Sequence, residues 1–116
     1  MPQISLLELI TNTLEDAKAL DVTTLSVAEL TSVTDHMVIC TATSARHAIA
    51  IADRVIEAAK ANDFRPFGST GEDTGEWVLV DFIDVVVHIM QGPIREHYDL
   101  EKLWDKTLIE RGEELQ

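Results

Sequence analysis

Residues 75–90 read GEWVLVDFIDVVVHIM, a run that fits two β-strands meeting at a turn and little else. From Glu76 to Phe82 the side chains alternate in character. Val78, Val80 and Phe82 form a wholly apolar set, while Trp77, Leu79 and Asp81 combine a large aromatic, an aliphatic and a carboxylate. Successive strand side chains point to opposite faces of a sheet, so the first set suits a core and the second a docking surface. Residues 85–90 follow across Ile83-Asp84, close enough to pair as an antiparallel hairpin. That pairing sets Trp77, Leu79 and Asp81 beside His88 and Met90.

The rest of the chain supplies what a sheet needs to cover its other face. Ser5 and Glu8 make an S-x-x-E capping box opening a helix that the spacing predicts through Leu20, with Leu6, Ile10, Leu14 and Ala17 on one stripe. Residues 22–27 are β-rich, a short turn containing Ala28-Glu29-Leu30 follows, and residues 37–42 form a second strand. Its unbroken apolar centre, Met37-Val38-Ile39-Cys40, calls for burial on both faces. Thr43 or Ser44 caps a helix over residues 45–62, in which Ala48, Ile51, Ala52, Val55, Ile56 and Ala59 face inward. Residues 64–67 read as a short strand restricted by Pro66 to an edge or a strand start, and the glycine-rich stretch 68–75 as a polar, mobile connector. Pro93 opens a helical turn, and Asp99 caps a second one over residues 100–104. The order α-β-β-α-β-β-β-α, with a strand–helix–strand crossover before a hairpin, predicts an α/β fold. Its mixed β-sheet carries helices mainly on one side. Residues 1–104 are expected to form a single domain, and residues 105–116 a polar acidic tail.

Composition removes several classes of function. The chain has 116 residues and a formal net charge of −12, from 21 acidic against 9 basic residues. A surface so acidic repels phosphate backbones, so nucleic acid is not expected as the main contact, whereas a basic protein is a natural partner. The single cysteine, Cys40, sits in an apolar run and reads as a small core residue. Near the start, Glu8, Asn12, Glu15 and Asp16 interrupt the apolar positions and no basic leader precedes them; no run approaches the roughly 20 apolar residues of a membrane span. A cytosolic protein without membrane contact is the expectation.

Catalytic and metal-binding patterns are weak. Gly68-Ser69-Thr70-Gly71 lacks the phosphate-loop and dinucleotide spacings, and acidic residues follow it. His36, His47, His88 and His97 have no metal-ligand spacing, and Asp81 and Asp84 are too awkwardly spaced to converge on a metal. His88 reads as a strand histidine in a hydrogen-bond network rather than a proton carrier. No metal, cofactor or catalytic residue is expected. Aromatic and methionine anchors ringed by charge instead describe an interface centre, with Tyr98 and Trp104 bordering the hairpin face or, in the case of Trp104, lidding the core.

Three stretches taken together carry a family resemblance: DHMVICTATSARH (residues 35–47), GEWVLVDFIDVVVHIM (75–90) and REHYDLEKLW (95–104). Across nearly its whole length the chain resembles the ribosomal silencing factor, or Iojap-related, family. Met37 and His97 stand where an aromatic residue is common in relatives. The resemblance implies a nucleotidyltransferase-like fold without that catalysis. It also implies a translational repressor, often homodimeric, that binds the large ribosomal subunit through the ribosomal protein numbered fourteen. By occupying that face it would block joining of the small subunit and lower translation when nutrients are scarce. Carried over by position, the partner-binding residues would be Trp77, Leu79, Asp81, His88, Met90, Tyr98 and Lys102. The rival expectation is a nucleotide-binding enzyme of the nucleotidyltransferase type.

Overall fold

Ser5 starts the first helix as its sequence promised, its Oγ accepting the Glu8 backbone N–H at 3.1 Å. A computed structural model describes residues 5–28 and 34–98. Helix α1 (Leu6–Asp16) leads into β1 (Leu20–Ser26), β2 (His36–Ala42), α2 (Ala45–Ala61), β3 (Gly68–Thr70), β4 (Trp77–Asp81), β5 (Val85–Gln91) and α3 (Gly92–Tyr98). The strands form a single five-stranded sheet in the order β1-β2-β5-β4-β3. Only β2 and β5 run parallel; every other neighbouring pair is antiparallel. The expected turn at Glu29-Leu30, the helix over 100–104 with its Asp99 cap, Trp104 and the tail 105–116 all lie outside the described residues.

Alternation along the three inner strands builds two unequal layers. Val38, Cys40 and Ala42 of β2, Val78 and Val80 of β4, and Val87 and Ile89 of β5 face the helices, where Ile10, Leu14, Ile51 and Val55 close the main core. Ala48, Ala52 and Ala59 are also buried there, and their small side chains let α2 lie close to the sheet. Cys40 is part of this layer, and burial pushes its thiol up to about 12, so it stays protonated and inert. On the opposite face Met37, Ile39 and Met90 make a second, smaller core with Leu25, Trp77 and Ile94, the last supplied by α3. Two helices therefore cover one face and one short helix covers part of the other.

Both long helices stop without glycine. At the end of α1, Lys18 takes φ +64° while Ala19 N–H donates to Leu14 C=O and Lys18 N–H to Glu15 C=O. At the end of α2, Asp63 takes φ +66° with the same pair of bonds, Phe64 to Ala59 and Asp63 to Lys60. These are Schellman caps, which satisfy the last carbonyls and turn the chain away. The first cap ends α1 at Asp16, short of Leu20, and frees Leu20 to begin β1. His47 ties the two helices together. Its Nδ1 accepts the Thr43 N–H at 3.0 Å, which leaves Nε2–H to donate to the Ala17 carbonyl at 3.1 Å.

The edge strand lies later than expected. Phe64 N–H is taken by the α2 cap and Pro66 has no N–H to offer, so the ladder does not begin before Phe67. Pairing starts with Phe67 N–H donating to Asp81 C=O at 2.7 Å and runs through Gly68–Thr70, in the stretch read as a mobile connector. The remainder of that stretch is folded tightly against its surroundings. A Cβ at Gly71 (φ +90°) would collide with the Trp77 carbonyl, and one at Gly75 (φ +70°) would come within 2.6 Å of Ala45 Cβ.

The β4–β5 turn carries a strained residue. Phe82 N–H donates to Val85 C=O, and Ile83 N–H to Asp81 Oδ1 at 2.7 Å, leaving Ile83 at φ +75° with 55% of its surface exposed. A β-branched residue in the left-handed region is an outlier whose Cβ crowds the following carbonyl. Ile83→Gly removes that strain and little buried surface. It should raise unfolding stability by roughly 1 kcal/mol, after allowing for glycine's greater freedom when unfolded. Urea denaturation of the two proteins checks this by a shift of the midpoint without a change of slope.

Candidate docking face

The ladder between β4 and β5 pairs Trp77 with Met90, Leu79 with His88 and Asp81 with Val86, the arrangement expected from the alternation alone. It is fixed at both ends. At the turn, Asp81 Oδ1 and the Phe82–Val85 bond hold the strands in step. At the open end, Gln91 N–H donates to Glu76 C=O at 3.0 Å and its side-chain amide to Gly75 C=O at 2.9 Å. Trp77, Leu79 and Asp81 are consequently held on the face away from α2, each half-buried.

Trp77 is the centre of this face. Its indole N–H donates to His88 Nδ1 at 3.0 Å, and the ring of Tyr98 stands 4.8 Å away at 52°. Tyr98 is 50% exposed and extends the aromatic surface onto α3. Two residues expected to touch a partner lie deeper. Met90 has no exposed surface and packs under Trp77 as part of the small core; His88 is 6% exposed. They form the floor of the face, because β5 is central and Ile94 of α3 packs over the core that contains Met90. Asp81 reaches the face but devotes Oδ1 to the turn. Lys102 lies outside the described residues.

Arg95 was not singled out by the sequence reading. Its guanidinium donates to the Asp21 carbonyl at 2.7 Å, to Thr41 Oγ1 at 2.9 Å and to Thr23 Oγ1 at 3.0 Å. It thereby fastens α3 across β1 and β2 and fixes where Tyr98 stands. The only hint was its place at the head of the REHYDLEKLW stretch, since an arginine on a short polar helix ordinarily reads as solvent-facing.

Other chemistry has little to work with. Among the described residues, no group of three or more histidines, cysteines or carboxylates is placed to hold a metal ion. Ser69, in the glycine stretch once considered for phosphate, donates its hydroxyl to Glu72 at 2.9 Å. A cleft of about 540 Å³, lined by Lys60, Asp63, Arg65 and Pro66, lies at the far end of α2 and away from the aromatic face. No helix among the described residues is long and apolar enough to cross a membrane.

A family model for "ribosomal silencing factor during starvation" matches residues 2–116. The chain belongs to the ribosomal silencing factor family. It is 43% identical over 101 residues to the ribosomal silencing factor RsfS of Haemophilus influenzae, spanning 87% of this chain and 99% of that one. A crystal structure of a Chromobacterium violaceum protein superposes with a TM-score of 0.85 at 39% identity, covering 90% of this chain and 87% of the other. A mouse protein named for mitochondrial assembly of the ribosomal large subunit is 33% identical over 101 residues, which is 84% of this chain and 44% of the mouse protein. The α/β fold with a mixed sheet is thus the fold of this silencing-factor family.

Burial lowers the His88 imidazole from 6.5 to about 4. Between these values the unfolded chain takes up a proton that the folded chain refuses. The contribution of neutral His88 is therefore complete above pH 6.5 and is lost as the pH falls toward 4, by about 3 kcal/mol across the window. Urea titrations at pH 7 and pH 4.5 should show a steeper loss for the native sequence than for His88→Asn; equal losses would contradict a buried neutral imidazole.

Proposed function

We propose that this protein represses translation by occupying the large ribosomal subunit where the small subunit must join. The observation that carries the reading is the Trp77–Leu79 surface beside half-exposed Tyr98, an aromatic face on a chain of net charge −12. Aromatic anchors at a half-covered centre with charge around them describe a protein interface, and the surplus acid favours a basic partner. Family membership supports the ribosome as the site of action, and the name of the mouse relative supports the large subunit in particular. The partner on that subunit is the basic ribosomal protein numbered fourteen. Trp77 and Leu79 supply the apolar contact, Asp81 faces a basic side chain, Tyr98 completes the rim, and Lys102 is a further partner-binding residue.

Exclusion needs no chemistry. An interface of roughly 1,200–2,000 Å² holds two proteins together stably, and a body seated on the joining surface blocks it for as long as it remains. The protein is read as a cytosolic, non-enzymatic homodimer that lowers translation under nutrient limitation. Among the described residues nothing favours the nucleotidyltransferase alternative: Asp81 Oδ1 is engaged by Ile83 N–H, and Asp84 is exposed on the turn.

Trp77→Ala should weaken large-subunit binding by about 2 kcal/mol or more, some thirtyfold, if the tryptophan is a central anchor. Leu79→Lys, on the same face but outside the indole's hydrogen bond, should weaken it as well. Co-sedimentation with purified large subunits measures both, and adding small subunits shows whether whole ribosomes re-form. Wild-type pelleting by two folded variants would refute docking through this face.

A further inference from the structure

Resting on the docking reading above, we propose that His88 is a positioning residue: it holds the Trp77 indole in one tilt without touching the partner itself. The two side chains are diagonal neighbours across the β4–β5 ladder, His88 standing opposite Leu79 and Trp77 opposite Met90. Diagonal pairs lie within reach of long and aromatic side chains. Their ring centroids are 5.8 Å apart at 47°, and the indole N–H meets Nδ1 at 3.0 Å. Because Nδ1 accepts this bond, the ring proton resides on Nε2 and the imidazole is neutral. At 6% exposure His88 offers a partner almost no surface, yet its lone pair is the acceptor the indole requires.

The indole is thereby held from three sides. Met90 lies beneath it, Tyr98 flanks it at 4.8 Å, and His88 selects the ring orientation. Met90 cannot make that last selection. Van der Waals packing against a methionine barely distinguishes an indole from its flipped counterpart, whereas a directional hydrogen bond does. A docking tryptophan already set in its bound orientation avoids ordering on association, which for a single side chain is worth roughly three- to tenfold in affinity.

A double-mutant cycle on the full chain separates positioning from contact. His88→Leu fills the buried site with an apolar side chain and removes the acceptor; Trp77→Phe keeps an aromatic ring and removes the donor; His88→Asn retains an acceptor close to the Nδ1 position. Large-subunit binding should fall roughly three- to tenfold in His88→Leu and recover in His88→Asn. With Trp77→Phe already present, His88→Leu should cause no further loss. In ¹⁵N-labelled protein the Trp77 indole N–H resonance, assigned by its disappearance in Trp77→Phe, should move and exchange faster with solvent in His88→Leu. An equal loss from His88→Leu in both backgrounds would make His88 a direct contact and overturn the proposal. So would an unmoved indole resonance, or unchanged binding by His88→Leu where Trp77→Ala weakens it. If Trp77→Ala also binds as the native chain does, the docking reading itself fails, and the indole resonance still reports on the hydrogen bond.

Discussion

Pairing Trp77 with Met90 and Leu79 with His88 directs Val78, Val80, Val87 and Ile89 beneath α2 and leaves Trp77, Leu79 and Asp81 on the other surface. Side-chain direction in a strand has a period of two, so a slip of one residue would exchange these sets and place a tryptophan and a carboxylate under the helix. The chain guards against that slip at both ends of the ladder, through Asp81 Oδ1 and Ile83 N–H at the turn and through Gln91 at the open end. Parallel pairing with β2 extends the same division across the sheet, setting Ile39 beside His88 and Val38 beside Val87. Core and uncovered face are two consequences of one register.

Unequal cover completes the arrangement. Alanines on α2 let a long helix close down on the apolar face, and α1 joins it there. On the other face the described part of α3 has seven residues, and Arg95 fastens it over β1 and β2 rather than over β4. Its last residue, Tyr98, reaches the indole while its body leaves Leu79 and Asp81 half-open. A surface of this kind is rigid because its floor of Met37, Ile39 and Met90 is packed like an interior, and it is available because the covering helix is short.

The sequence made the hairpin, its pairing and the two-faced alternation legible because strand periodicity is a local signal that each residue repeats. Both helix starts were legible too: Ser5 accepts the N–H three residues on, and of the two candidates Thr43 and Ser44 it is Ser44 that does the same for α2. The stop of α1 was obscure for a physical reason: Lys18 occupies a left-handed position where glycine would have announced the end, whereas α2 ends at Ala61, beside the expected Asn62. Residues 64–67 looked like a strand by composition, but the α2 cap takes the Phe64 N–H and Pro66 has none, and the short ladder of Gly68–Thr70 depends on a partner strand farther along the chain. Depth within the docking face was likewise hidden. Alternation assigned Met90 and His88 to the correct side of the sheet, yet only the packing of Ile94 and Trp77 shows that they form its floor.

Hydroxyl-radical footprinting of the free chain and of the chain bound to purified large subunits tests most directly that the uncovered sheet face is the docking surface. Docking through β4 predicts that Trp77, Leu79 and Tyr98 lose reactivity on binding while the exposed side of α2, at Arg46, Arg54 and Lys60, reacts as in the free protein. Protection of α2 with Trp77 unchanged would contradict it.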